Sequence, residues 1–253
     1  MRPRHILSLA AMTLASSLAA TAPAVAQERP EWEKERERMT APHLQTGTRF
    51  LREPETADAA QARGMQKEIA SCMYRKKRAD SDTLLANSDF FAIDFDASGI
   101  DREDGLDDLG LGDCMKRVMK HGTYQMYMSY QFSTMRNLLA EEAYLRGAGK
   151  AVRLADGAGE TVAGRRLLAG AQSAVIGGVA DCLVFRNLEA SDALLRAAPA
   201  SREEAAALDR LLPTFATCMK SDKADVTLGT SMVRQLVADG LWTRLSAGEL
   251  LAG

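Results

Sequence analysis

The chain is poor in the residues from which polar reaction centres are built. Its 253 residues contain three histidines, of which only His43 and His121 lie beyond the N-terminal segment. Aromatics make up 6%. No GxSxG, Walker A or GxGxxG motif occurs, and the Gly157-x-Gly159 pair has Val162 where a third glycine would stand. These gaps leave no P-loop and no dinucleotide fingerprint, and a Ser-His-Asp or Cys-His device would need His121 placed against a nucleophile. A histidine-based zinc site lacks ligands. Charge of one sign is also missing: 32 basic against 34 acidic residues give a net −2, so no bulk positive field favours nucleic acid. Long apolar runs are confined to Ile6–Ala20, too short and too rich in Ala and Ser to make a good membrane span.

What is present begins with that same stretch. Arg2 and Arg4 precede it and Ala24-Val25-Ala26 follows it, the order of a secretory signal peptide cleaved before Gln27. A periplasmic or secreted protein is the expectation, with a charged lead-in at 27–56 and no transmembrane segment in the mature chain. All four cysteines, Cys72, Cys114, Cys182 and Cys218, lie beyond the cleavage point. An even number in an exported chain favours disulfides, and none forms a CxxC pair.

The rest reads as one unit written twice. IASCMY (69–74) returns as VADCLV (179–184), and SDTLL (81–85) as SDALL (191–195), each 110 residues later. CMK returns from 114 to 218, an offset of 104, and STMRNLLAEEAY (133–144) returns as SMVRQLVADGLW (231–242), an offset of 98. Ordered blocks with matched cysteines are what a repeat predicts, and two insertions in the first copy explain the falling offset. An ancestral unit able to fold alone would close its own bridge. That favours Cys72–Cys114 with Cys182–Cys218 over the symmetric alternative, Cys72–Cys182 with Cys114–Cys218.

Apolar residues recur at helical spacing in both copies: Met65, Ile69, Cys72 and Met73, then Val175, Val179, Cys182 and Leu183. Ser81 and Ser191 stand where helix N-caps would be, and Ser201-x-x-Glu204 is a capping box opening a helix to about Met219. Leu208, Leu211, Leu212, Phe215 and Met219 share a face of that helix, and Pro213 should kink or break it. The closing helices span 133–146 and 231–245. Six glycines between 147 and 170 mark a linker or irregular connection. Residues 124–128 and 225–228 could be extended and pair across the copies.

The expected fold is mainly α. Two related helical units, 57–146 and 171–253, are each closed by one disulfide, with a minor two-stranded element if the copies pair. The blocks containing cysteine and the closing helices resemble those of uncharacterised exported proteins of alphaproteobacterial type that begin with signal peptides. That resemblance implies no activity.

Local chemistry is sparse. Asp94, Asp96, Ser98 and Gly99 match positions 1, 3, 5 and 6 of an EF-hand loop, but position 12 is Gly105 instead of Glu. This stretch reads as a polar surface loop, with weak calcium binding through Asp94, Asp96 and Ser98 as the alternative. Arg75–Arg78 reads as the basic end of a helix. Glu141-Glu142 and Glu203-Glu204 read as solvated acids, and Met115 and Met119 as core filling. No residue is assigned a catalytic role and no cofactor is expected beyond the calcium alternative. The functional expectation is a non-catalytic module that binds a protein, peptide or envelope component; a hydrolase using His121 or paired carboxylates ranks third.

Overall fold

The computed structural model describes residues 57–119, 131–219 and 229–252. His43, His121, Met126, Met128 and the proposed signal segment lie outside them, as do the two stretches expected to pair as strands. Among the described residues there are ten helices and one two-stranded sheet.

The first copy begins with α1 (Ala59–Lys76), opened by a capping box between Asp58 and Gln61. It continues through α2 (Arg78–Ala86), the short turns α3 (Phe95–Ser98) and α4 (Gly105–Asp108), α5 (Leu111–Val118) and α6 (Phe132–Gly147). A connection contains β1 (Val152–Leu154). The second copy is α7 (Ala171–Arg186), α8 (Leu188–Arg196), α9 (Arg202–Met219) and α10 (Thr230–Ser246), ending in β2 (Leu250–Ala252). The order repeats, with α3 and α4 falling in the first copy's extra residues.

Each copy is stapled as the shorter-range pairing requires. Cys72–Cys114 joins α1 to α5, and Cys182–Cys218 joins α7 to α9, both with Cα atoms 5.7 Å apart. Two disulfides fit an oxidising, extracytoplasmic setting. No helix among the described residues is long and apolar enough to cross a membrane.

The two closing helices form the centre. α6 packs on α1 and α10 on α7, and α6 and α10 pack on each other. They run side by side in the same direction, because residues meet their own repeat equivalents. The Asn137 amide lies 3.4 Å from Gln235, and Gly147 abuts Leu245. Such self-matched contacts mark a pseudo-twofold axis between the helices. Across it the large aromatics are exchanged. Tyr144 of α6 donates to Asp192 of α8 at 2.6 Å, while Trp242 of α10 packs against the first copy's core around Ile69 and Leu139. Close approach on the α7 side depends on Gly240, where a Cβ would stand 2.7 Å from the Ala180 carbonyl oxygen.

Several local expectations are corrected. Ser81 and Ser191 are not N-caps: they lie inside α2 and α8, fully buried, and their hydroxyls find no partner among the described residues. The cap of α8 is Asn187, whose side chain accepts from the Ala190 N–H. Ser201 does accept from the Glu204 N–H at 3.1 Å, but Glu204 returns to the Ala200 N–H, one residue earlier than a capping box requires. Pro213 does not break α9, which the disulfide and Phe215 hold against α7 on the C-terminal side of the proline. Val175 and Leu212 face solvent at 64% and 56% exposure; the buried faces run through Val179, Cys182 and Leu183 and through Leu211 and Phe215.

The glycine-rich connection is irregular but firmly tied. β1 pairs antiparallel with β2, Val152 opposite Ala252, so the two-stranded element joins the connection to the C-terminal tail. Val162 is buried, its N–H donates to Asp181, and Arg244 donates to the carbonyls of Gly159 and Glu160. Glycines there allow turns and do not make a free linker.

Candidate functional site

The polar centre of the protein is a pair of reciprocal ion pairs between the closing helices. Arg136 and Glu141 sit five residues apart on α6, and Arg234 and Asp239 occupy the matching positions on α10. Side chains five apart on one helix do not face each other, so each charge reaches across the axis. Arg136 pairs with Asp239, and Arg234 pairs with Glu141 at 2.7 Å. All four are buried. Their removal from water costs several kcal/mol per ion, which only good geometry and further hydrogen bonds offset.

The further partners differ between the copies. Arg234 uses all three of its nitrogens: Nε donates to Glu141, Nη1 to Glu204 and the Leu194 carbonyl, Nη2 to Glu141 and the carbonyls of Leu195 and Ala197. It thereby closes the C-terminal end of α8. Lys67 of α1 and Arg63 complete the cluster on Glu141 and Glu204. The Glu141-Glu142 and Glu204 carboxylates are therefore buried partners, not solvated acids. Burial opposes the charge of Glu141, but Arg234 and Lys67 hold its carboxyl below the usual carboxylate range.

In the second copy the position of Lys67 is Gly177, and the side chain of Arg165 fills the vacated space: a Cβ on Gly177 would lie 2.6 Å from the Arg165 Cδ. Arg165, from the glycine-rich connection, binds both Asp181 and Asp239. Asp239 is fully buried, and burial works against its charge. Arg136 and Arg165 prevail and keep its carboxyl below the usual range. The missing α1-type cation is thus supplied by a residue outside the repeat.

Beside this second cluster lies a cavity of about 330 Å³; a smaller one of about 30 Å³ lies beside Arg234. Arg136, Arg166, Trp242 and Thr243 border it, with Leu85 and Val162 as apolar wall. The Arg136 guanidinium lies over the Trp242 ring at 5.3 Å. Asp89 closes one end. Its carboxylate receives the N–H groups of Phe91, Ala92, Leu168 and Ala169 and the Ser173 hydroxyl. Burial again opposes the charge, and the Ser173 and backbone donors keep the carboxyl below its ordinary range.

No family model, curated protein or solved structure matches the chain.

The motifs singled out in the sequence lie elsewhere. Asp94 caps α3 by accepting from the Ala97 N–H at 3.0 Å, Ser98 donates to the Phe95 carbonyl, and exposed Asp96 sits between them on the helical turn. Among the described residues no group of three or more His, Cys, Asp or Glu side chains could hold a metal ion. Arg75–Arg78 ends α1 and starts α2. There Lys76 pairs with Asp113, Lys77 with Asp80 and Arg78 with Asp82. Sequence reasoning missed the Arg136–Asp239 and Arg234–Glu141 pairs. Their signal was available: the aligned blocks keep an arginine and an acid at the same five-residue spacing in both copies.

Proposed function

We propose that the mature protein is an exported, non-catalytic binding module, and that a peptide or envelope component places a small group in the cavity beside Arg136. The observation that carries this reading is the asymmetry of an otherwise symmetric centre. In one cluster every nitrogen of Arg234 is engaged by protein acceptors; in the other Arg136 borders a polar-lined chamber at the lower end of the size range of ligand pockets. A pocket in one copy only would also suit an enzyme. Against that, Asp89 accepts five hydrogen bonds and Asp239 is held charged between the guanidinium groups of Arg136 and Arg165, which suits neither to take a proton. Calcium binding by Asp94, Asp96 and Ser98 is less favoured, because one Asp94 oxygen and the Ser98 hydroxyl already make hydrogen bonds within the α3 turn.

A chain carrying Trp32→Phe leaves Trp242 as the sole tryptophan. Screened against a library of neutral and charged fragments by NMR, its indole N–H should shift with a subset of them. A Trp242 signal unmoved by every fragment at millimolar concentration would overturn the binding reading. Residues 1–26 are read as the export signal, with delivery to the periplasm or beyond. N-terminal sequencing of the exported protein should begin at Gln27.

A further inference from the structure

We infer that the group recognised in this cavity is a carboxylate, carried by an apolar body; the inference rests on the binding reading above. Donors and acceptors around the chamber are unequally satisfied. Every carboxylate bordering the chamber already has its partners. Donors remain. Arg136 donates from Nε to Ser88 and from Nη1 to Asn137 and Asp239, but its Nη2 donates to no oxygen among the described residues. This is a side chain 1% exposed that borders the cavity. The exposed guanidinium of Arg166 and the Thr243 hydroxyl likewise make no hydrogen bond among the described residues.

The repeat supplies an internal control. Arg234, the equivalent of Arg136, uses its Nη2 on Glu141 and two carbonyls at the end of α8. In the first copy Ser88 stands between the arginine and the helix end, accepting from Arg136 Nε and donating to the Leu85 carbonyl at 3.1 Å. One hydroxyl thus does the work of two carbonyl contacts, and Nη2 of Arg136, at the border of the chamber, is left without an acceptor among the described residues. The free Nη2 of Arg136 and the exposed guanidinium of Arg166, which borders the same chamber, are two cationic donors that suit the two oxygens of a carboxylate. Val162 and the Trp242 ring offer contact to an apolar group attached to it.

The carboxylate could come from a peptide C-terminus or from a small organic acid. Calorimetry with N-acetyl-phenylalanine, N-acetyl-Ala-Ala-Phe and hexanoate, each beside its neutral amide, separates these sources. The acids should bind and the amides should bind at least tenfold more weakly. A stronger tripeptide marks a peptide end, and equal affinities mark a free acid. Arg166→Ala, which touches no ion pair of the core, should weaken binding roughly tenfold. Arg153→Ala on β1 should leave it unchanged, and the acids should move the Trp242 indole signal. Amides that bind as well as the acids would overturn the carboxylate inference while leaving the binding reading intact. The site assignment falls if the acids bind but Arg166→Ala matches the parent or Trp242 is unmoved. If no acid binds while neutral fragments do, only the inference is lost; if nothing binds, both are.

Discussion

Replacing Asp239 by Asn removes one charge from a place where two guanidinium groups converge. Asp239 is fully buried, Arg136 is 1% exposed, and Arg165 is nearly buried. An asparagine keeps the shape but leaves Arg136 with no carboxylate partner, while Arg165 keeps Asp181. Breaking a buried pair by removing one partner costs about 3–5 kcal/mol, because the remaining charge has no water to return to. For a chain of this size each kcal/mol lowers Tm by about 2–4 °C, so the midpoint should fall by roughly 6–20 °C. Glu141→Gln, its repeat equivalent, should fall in the same range. Glu160→Gln removes the exposed pair with Arg186 and should stay within about 0.5 kcal/mol of the parent. The measurement is chemical denaturation followed by circular dichroism at pH 7. The reasoning is refuted if Asp239→Asn costs no more than Glu160→Gln.

The same pairs set the acid limit. The carboxyls of Asp239 and Glu141 titrate below their ordinary range when folded, so the stability they contribute is complete above the unfolded value near pH 4 and is lost as the pH falls through the folded one. Urea midpoints should therefore drop steeply below about pH 4, and less so in Asp239→Asn. At the alkaline end the Tyr74 hydroxyl, buried and donating to Asp82, is pushed up to about 12. Its contribution is complete below the unfolded value of about 10 and is lost as the pH rises through 12, so Tyr74→Phe should flatten the stability profile between those values. Gly240→Ala should destabilise by about 1–3 kcal/mol, since the new methyl must displace the α7 backbone at Ala180; an unchanged Tm would argue against the tight α7–α10 contact. Replacing Cys182 and Cys218 together by Ala should cost about 3–4 kcal/mol for a bridge spanning 36 residues, read by denaturation beside the untreated parent.

The helical class, the doubling and the closing helices were legible in the sequence, which also favoured the disulfide pairing that the structure shows. Each rests on local periodicity or on comparison of one copy with the other, which needs no coordinates. The basic run at Arg75–Arg78 was also legible as a helix end, because its meaning lies within one turn. The fate of Glu141, Glu204 and Ser191 was not. Whether an acid on a helix meets water or an arginine depends on which helix becomes central, and that is decided by packing between copies. The exchange of Lys67 for Arg165 was further out of reach. A side chain from a glycine-rich connection fills the space left by Gly177, a contact that no spacing encodes. The chamber beside Arg136 exists for the same reason: a serine hydroxyl, a glycine and a tied-down loop meet in space though they lie far apart in the chain.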